Sequence, residues 1–458
     1  MLFIRKPRNA SGFLVRFLCF VLTAFLCQAV PAEAAPAAKL SAKRIVTDNG
    51  LTVVLQEAHS LPVVNVQVII KAGAVLDPEE KAGLAHLTAS LLDEGTATRS
   101  STQIADAIDF IGAELSAFGG DDYASASLRV LKKDLATGLA LLSDILIRPS
   151  FPEPELQRIR QEVLGQLIAE KDDPGAVADK AFNQIVFGAH PYHRPAEGTE
   201  QTLPAVTRAD VALFYDQYYR PNNSIMTIVG DITESEAADL IKTYFGSWPR
   251  KPIPTTAVPA AAGLEKPTVT LVDKDLMQAN IILGHLGIDR RNPDYYAVTV
   301  MNYILGGGGF ASRLMTNLRD NQGLAYSIHS HFQAGAFPGS FSVSLQTRNA
   351  AARQAIDGVM AELRKIRMLP VTDRELEETK AYLIGSFPLR MDTSSKIAGL
   401  LAQIEYYNLG LDYAERYPKL IGSVTKTDIQ RVAQKYLDPD HLALVVVAKQ
   451  DEARIRQD

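Results

Sequence analysis

The sequence carries an internal repeat, and this repeat limits the folds that the chain can adopt. Residues 206–230 and 424–448 align without gaps at a constant offset of 218 residues. Both copies open with Val-Thr, a basic residue, a variable residue and Asp, and both continue to a Tyr and a Pro in register. Each copy is typical of a capped helix, a proline-bearing turn and an apolar strand. Agreement at these positions favours duplication, so the chain is expected to form two related halves.

The composition changes between the halves, at residues 248–267, which are rich in Pro and Ala and lack apolar periodicity. Such a segment is typical of a linker. The predicted domains are therefore 44–247 and 268–450. Each begins with strand-like segments and continues into a helix, predicted at 79–94 and at 293–305. Because strands and helices do not alternate regularly, the pattern favours an α+β fold in which each domain packs a mostly antiparallel sheet against helices.

Residues 1–34 are typical of a signal peptide. Four basic residues precede an apolar stretch at 17–30, which is too short to cross a bilayer comfortably. Ala32-Glu33-Ala34 then matches the small-residue pattern of a cleavage site. A retained membrane anchor is the alternative. The pattern predicts an exported protein, periplasmic or secreted, that has no membrane attachment after cleavage.

Charge and cysteine content exclude several classes of function. The formal net charge is −5, and no run of Lys and Arg is long enough to follow a phosphate backbone, so nucleic acid is not an expected partner. The only two cysteines, Cys19 and Cys27, lie within the predicted signal peptide. The mature chain would then contain no disulfide, no catalytic thiol and no cysteine metal site.

The predicted helix at 79–94 bears the first candidate site. A zinc hydrolase with the inverted motif H-x-x-E-H places two histidines one helical turn apart, and the Glu between them accepts a proton from zinc-bound water. Residues 86–90 of this chain read His-Leu-Thr-Ala-Ser. His86 matches the first ligand, but Ala89 stands at the base position and Ser90 at the second ligand position. The motif is therefore degenerate.

Further motifs accompany this window. They are Ala82-Gly83-Leu84-Ala85-His86 with Glu94-Gly95-Thr96, Phe214-Tyr215, Tyr219-Arg220-Pro221-Asn222-Asn223, Val229-Gly230-Asp231, Ser312-Arg313-Leu314 and Gly323-Leu324-Ala325-Tyr326-Ser327. Together they resemble the pitrilysin/insulinase-type zinc peptidases, in their processing-peptidase branch, over about residues 40–450. The resemblance implies two homologous α+β domains in one chain, which forms half of a clam-shell dimer around a peptide-sized chamber.

The resemblance also locates a third zinc ligand, which is a Glu on a later helix shortly before an Asp-x-Pro turn. Measured back from the turn at 172–174, this position falls on Gln166. Glu162, one helical turn earlier, is the alternative if the register is shifted by four. Gln is a poor zinc ligand beside a carboxylate, and with either residue fewer than three ligands remain. We therefore expect no catalytic residue, no metal and no other cofactor in this chain.

Arg319 and Tyr326 form the second candidate site. In the family, an Arg and a Tyr seven residues later hold the substrate backbone near the scissile bond, and the resemblance assigns this substrate-binding role to the two residues here. An Arg donates charge-assisted hydrogen bonds to a carbonyl or a developing oxyanion, and a Tyr hydroxyl adds a neutral donor. The alternative is structural, with Arg319 paired to Asp320 or another surface acid and Tyr326 simply packed.

These expectations combine into a functional hypothesis. The chain is expected to be a zinc-free subunit of an exported heterodimeric metallopeptidase, inactive alone, that supplies Arg319 and Tyr326 to a catalytic paralogue. The zinc is expected in that partner, and the substrates are peptides. Two alternatives stay open, namely a non-catalytic scaffold of the same fold and an autonomous hydrolase with an altered metal site.

Overall fold

The computed structural model describes residues 40–455. The predicted signal peptide at 1–34 lies outside the described residues. The first half contains a six-stranded sheet with the spatial order β1-β2-β6-β3-β5-β4. Its strands are β1 (Lys43–Val46), β2 (Thr52–Glu57), β3 (Val63–Ile70), β4 (Glu114–Gly119), β5 (Ala124–Leu131) and β6 (Ser224–Gly230). All neighbouring strands are antiparallel except β2 and β6.

In the described part of the chain, seven helices of the first half connect its strands, and all but α5 pack within this half. They are α1 (Leu84–Ser90), α2 (Ser101–Ile111), α3 (Leu135–Ile147), α4 (Glu153–Ala169), α5 (Pro174–Phe187), α6 (Arg208–Tyr218) and α7 (Glu234–Phe245). Strands β3 and β5 alternate toward a core that they share with α1, α3 and α4. No helix or strand occurs between Phe245 and Thr268, the region of the predicted linker.

The second half contains a five-stranded sheet with the spatial order β7-β11-β8-β10-β9. Its strands are β7 (Thr268–Asp273), β8 (Gln278–Leu286), β9 (Ser327–Phe332), β10 (Ser340–Arg348) and β11 (Ala443–Ala448). Its helices are α8 (Tyr295–Asn302), α9 (Ala352–Met368), α10 (Asp373–Ser386), α11 (Ser394–Tyr406), α12 (Tyr413–Gly422), α13 (Lys426–Tyr436) and α14 (Gln450–Ala453). Only β7 and β11 are parallel neighbours. The α+β class with two mostly antiparallel sheets is confirmed.

The two copies of the sequence repeat form the same local structure. Thr207 caps α6 by accepting a hydrogen bond from the Asp210 backbone N–H, and the Asp210 side chain completes the capping box. Thr425 and Asp428 do the same at α13. Such reciprocal capping satisfies backbone donors that the first helical turn leaves without partners. Each capped helix leads into one strand of the single parallel pair in its sheet.

One helix of each half packs on the sheet of the other half. Phe182 and Val186 on α5 pack against Ile282 and Val445 of the second sheet. Ala402 on α11 packs against the first sheet, and Thr227 in β6 donates a hydrogen bond to the α11 backbone. Because burial of these apolar faces requires both halves together, the exchange joins them.

The helix predicted at 79–94 is shorter in the structure. A 3₁₀ turn covers Glu79–Lys81, and α1 spans only Leu84–Ser90. The break occurs at Gly83, where φ is +98° and a Cβ atom would lie 2.6 Å from the Glu197 carbonyl oxygen. In the second half, α8 ends earlier than predicted and continues as a π-helical turn at Tyr303–Gly307. Among residues 40–455, no helix has the length and apolar character that a membrane span requires.

Candidate functional site

The short helix α1 is held in place by a buried carboxylate. Asp77 accepts hydrogen bonds from the backbone N–H groups of Gly83 and Ala85, both at 2.9 Å. Burial raises the pKa of Asp77 to about 7, and the two N–H donors oppose this rise. Asp77 thus accepts hydrogen bonds from N–H groups at the start of α1 that have no partner within the helix.

His86 faces the edge strand of the first sheet. Its side chain is half-buried, and Nδ1 lies 3.2 Å from the Gly119 carbonyl oxygen, so the Nδ1–H tautomer donates a hydrogen bond to this carbonyl. Its ring also meets Phe118 edge to face, with 6.0 Å between centroids. A Cβ atom on Gly119 would lie 2.7 Å from the His86 Cα atom, so the close approach of α1 to β4 depends on this glycine.

Ala89 and Ser90 complete the degenerate window. Ala89 is fully buried in the core of the first half, and its methyl group offers no proton acceptor. Ser90 is half-buried at the end of α1. The helix therefore presents one imidazole and one hydroxyl where the motif calls for two imidazoles and a carboxylate.

Gln166 and Glu162 lie on one exposed row of α4, four residues apart. Gln166 Nε2 donates a hydrogen bond to Glu170 at 3.1 Å. The Glu162 carboxylate is 2.8 Å from Arg158 Nη1. Both side chains are thus engaged along their own helix, whichever of the two occupies the third ligand position.

Arg158 is the centre of a charge network that the sequence did not reveal. Its guanidinium contacts Glu94 at 2.6 Å, Glu155 at 2.8 Å and Glu162 at 2.8 Å. These hydrogen bonds raise the pKa of Arg158 and lower that of Glu155. The network lines a cavity of about 600 Å³ beside Asp93, whose pKa burial raises to about 6. Arg158 links the segment after α1 to α4.

The donor set at these positions does not fit a zinc ion. Of His86, Ala89, Ser90 and Gln166, only His86 has a strong zinc donor, and a catalytic zinc requires three protein ligands. The remaining carboxylate, Glu162, is paired with a cation. Within residues 40–455, no group of three or more His, Cys, Asp or Glu side chains is arranged to hold a metal ion.

The structure brings Arg319 and Tyr326 together in the second half. Arg319 lies on a π-helical segment, Met315–Asn321, and Tyr326 directly precedes β9. The Arg319 Cζ atom is 5.4 Å from the centroid of the Tyr326 ring and 4.9 Å from that of Phe310. Both rings are largely exposed, Phe310 at 71% and Tyr326 at 74%. The sequence predicted the Arg–Tyr pair but not the part played by Phe310.

The guanidinium of Arg319 has no ion pair with any residue of the range 40–455, Asp320 included. Its one polar contact there is the thioether sulfur of Met315, 3.8 Å from Nη1. The guanidinium instead lies over two aromatic rings, Phe310 and Tyr326, and their faces stabilise its positive charge. Within the described residues, Arg319 therefore does not form the surface ion pair of the structural alternative. Its substrate-binding role stays a prediction.

A partly buried ion pair anchors the segment that carries Arg319. Arg313 donates two hydrogen bonds to Glu375 on α10, at 2.6 and 3.0 Å, and the Arg313 side chain is only 11% exposed. Glu375 also completes the capping box of Thr372. Burial opposes the shift, but Arg313 and the cap lower the pKa of Glu375 to about 2. The spacing Thr-x-x-Glu would have revealed the cap, but not the long-range pair.

Sequence comparison places these observations in a family. The family described as "Insulinase (Peptidase family M16)" matches residues 52–200, and "Peptidase M16 inactive domain" matches residues 205–383. The chain belongs to the M16 peptidase family. The resemblance that the motifs indicated is thus confirmed, and so is the two-domain fold that it implies.

Curated M16 relatives are similar over most of their length. An uncharacterized zinc protease of Mycobacterium tuberculosis is 29% identical over 419 residues, which is 90% of this chain and 94% of the relative. The uncharacterized zinc protease YmxG of Bacillus subtilis is 28% identical over 361 residues, 78% of this chain and 86% of the relative. The M16 similarity therefore spans both halves.

Solved structures agree with the sequence comparison. The peptidase M16 inactive domain from Pseudomonas fluorescens superposes with a TM-score of 0.84 at 29% identity, covering 89% of this chain and 98% of that one. A protease from Helicobacter pylori gives a TM-score of 0.82 at 24% identity, covering 89% and 99%. The latter likeness supports the fold alone.

Proposed function

We propose that this chain is the non-catalytic subunit of an exported heterodimeric metallopeptidase. It supplies Arg319 and Tyr326 to peptide substrates that a zinc-bearing paralogue cleaves. The observation that carries this proposal is the half-buried Arg319 guanidinium, which lies over two exposed aromatic rings and has no ion pair in the described part of the chain. The replacements at Ala89, Ser90 and Gln166 support the assignment of the zinc to the partner.

The arrangement suits recognition of a peptide backbone. The N–H groups of Arg319 donate to a substrate carbonyl or to the oxyanion that develops on it, and the Tyr326 hydroxyl adds a second donor. Strand β9 follows Tyr326 directly and lies at the open edge of its sheet. An extended peptide can add to such an edge through backbone hydrogen bonds, which makes recognition tolerant of sequence.

Reconstitution with a co-encoded paralogue that has a complete H-x-x-E-H motif tests this proposal. We expect peptide cleavage only when both chains are present. Arg319→Ala should leave complex formation intact and lower turnover about 100-fold, the typical cost of removing one oxyanion donor. Arg250→Ala, an exposed arginine without an ion pair among residues 40–455, is the matched control and should retain full turnover.

Other outcomes of the same assay would identify the alternatives. A complex that forms but never cleaves a peptide would indicate a scaffold. Chelator-sensitive cleavage by the isolated chain would indicate an autonomous hydrolase and would contradict the proposal. Export rests on the pattern of residues 1–34, and N-terminal sequencing of the protein from the periplasm or medium tests it, with a mature terminus at about residue 35 expected.

A further inference from the structure

A second cavity, of about 540 Å³, lies where the two halves meet. The first half contributes Lys71, which directly follows β3. From the second half come Arg290 and Arg291, after β8, and Tyr406 and Tyr407, at the end of α11. The cavity therefore combines three cationic side chains from two halves with aromatic walls.

None of the three cations has an ion pair with another residue of the range 40–455. Arg290 is half-buried, with its Cζ atom 3.8 Å from the centroid of the Tyr295 ring, and it donates a hydrogen bond to the Tyr413 hydroxyl at 3.1 Å. The Lys71 and Arg291 side chains are exposed and have no hydrogen-bond acceptor in the same range.

The nearby carboxylates already have other partners. Asp122 accepts hydrogen bonds from the Tyr192 hydroxyl and from the Ala336 backbone N–H, the latter at 2.8 Å. Asp289 accepts from the Arg291 backbone N–H at 2.8 Å. Because no acid among residues 40–455 forms an ion pair with Lys71, Arg290 or Arg291, these side chains can attract an anion that enters the cavity.

The first half contains another cavity, of about 740 Å³, whose cations have partners. There Lys81 pairs with Asp210, and Arg194 donates a hydrogen bond to the Asp77 carbonyl oxygen at 2.5 Å. Lys71 and Arg291 differ from these cations because their side chains have no hydrogen-bond acceptor among residues 40–455.

We propose that the cavity at Lys71, Arg290 and Arg291 binds a carboxylate of a peptide, either its C-terminus or an Asp or Glu side chain. The guanidinium and ammonium groups provide charge-assisted hydrogen bonds to the carboxylate. The rings of Tyr296, Tyr406 and Tyr407 offer apolar contact to the stem of the bound residue. This inference rests on the proposed function, because that function makes a peptide the expected ligand.

Calorimetric titration of the isolated chain, which does not consume the peptide under the proposed function, tests this site. The probes are an acetylated tetra-alanine-Phe peptide with a free C-terminus, its C-terminal amide, and an amide carrying one internal Glu. Binding of the free acid but not of the amide identifies the C-terminus as the ligand. Recovery of binding by the Glu-containing amide identifies the side chain. Equal binding of all three overturns the proposal.

A pair of double variants with the same change of charge provides the control. Lys71→Gln with Arg291→Gln should weaken binding of the acidic probe at least about 10-fold, since each lost charge-assisted bond contributes measurably. Arg250→Gln with Lys266→Gln removes two exposed cations that do not line the cavity and should not change the affinity. Arg290 is left in place because it packs on Tyr295, and unchanged thermal midpoints verify folding.

Two further results distinguish this site from the proposed function. If inorganic phosphate alone binds as tightly as the acidic peptide and displaces it, the cavity is an oxyanion site and the peptide assignment is wrong. In the reconstituted complex, the Lys71/Arg291 variant should raise KM for acidic peptides about 10-fold and leave KM for the amide unchanged. Normal cleavage with no discrimination in wild type or variant would overturn the inference and leave the proposed function standing.

Discussion

The two candidate sites differ in whether their polar groups have partners within the protein. Around α1 and α4, the Arg158 guanidinium contacts three carboxylates, Gln166 bonds to Glu170, and His86 bonds to a backbone carbonyl. In the second half, Arg319 lies between two exposed rings without an acid among residues 40–455. Polar groups with complete internal partners stabilise a fold, whereas ordered groups without them are available to a ligand.

This contrast explains how an M16 domain can keep its architecture without a zinc site. A carboxylate that could have faced a metal, Glu162, faces the Arg158 cation instead. The protein thereby supplies from its own chain a positive charge that balances the acids beside α1. Under the proposed zinc-free role, this balance of charge requires no bound ion.

The largest effect on stability is expected where the second site is anchored. Arg313→Ala leaves the partly buried Glu375 carboxylate without its partner and should lower the free energy of unfolding by about 2 kcal/mol. Arg353→Ala breaks an ion pair in which both side chains are about 60% exposed and should cost less than about 0.5 kcal/mol. Urea denaturation of both variants measures the difference. Equal losses would show that Arg313 does not anchor the segment.

Low pH should weaken the ion pair between Arg313 and Glu375. Because the pKa of Glu375 is lowered to about 2, its charge stabilises the folded state above the usual value of 4.5. This contribution, of about 1–2 kcal/mol, is lost as the pH falls from 4.5 toward 2. Glu375→Gln should be less stable than wild type at neutral pH and should approach it at low pH. A constant difference across the range would contradict this origin.

A conservative exchange at the two arginines sharpens the comparison. Arg319→Lys keeps the charge but loses the planar fork of donors, and we expect turnover of the reconstituted complex to fall about 10-fold. Arg158→Lys makes the same change at the internally paired site and should leave turnover unchanged. Reversal of the two results would place the chemistry in the first half.

The smallest effect is expected at His86. Since its ring bonds to a backbone carbonyl and no second ligand accompanies it, His86→Ala should change turnover of the complex by less than about 2-fold and stability by about 1 kcal/mol or less. A loss of turnover comparable to that of Arg319→Ala would mean that His86 takes part in the reaction.

The sequence predicted those features that depend on local pattern. The repeat predicted a capped helix in each copy, and the irregular mixture of strand-like and helical segments predicted a sheet with helices in each half. It overestimated the length of the helix at 79–94 because the chain turns at Gly83 with φ of +98°, where the carbonyl oxygen of Glu197, more than a hundred residues away, leaves no room for a side chain. The local periodicity of the sequence cannot predict such tertiary contacts.

The candidate sites were predictable to different degrees for the same reason. Arg319 and Tyr326 stand at a fixed spacing in a recognisable motif, so their pairing could be expected. The contact of Phe310 with Arg319 depends on the path of the loop before the π-helical segment, and the Arg158 network joins α4 to a segment more than fifty residues earlier in the chain. The exchange of α5 and α11 between sheets depends on the packing of both halves, and the cavity at Lys71 follows from it.

The zinc content of the purified mature chain, after dialysis and with elemental analysis, tests the central claim most directly. The reconstituted complex is measured in parallel. The account predicts well below one zinc per isolated chain and about one zinc per complex, contributed by the paralogue. One zinc per isolated chain would contradict it, because His86 would then have recruited ligands that the first half, as described, does not offer.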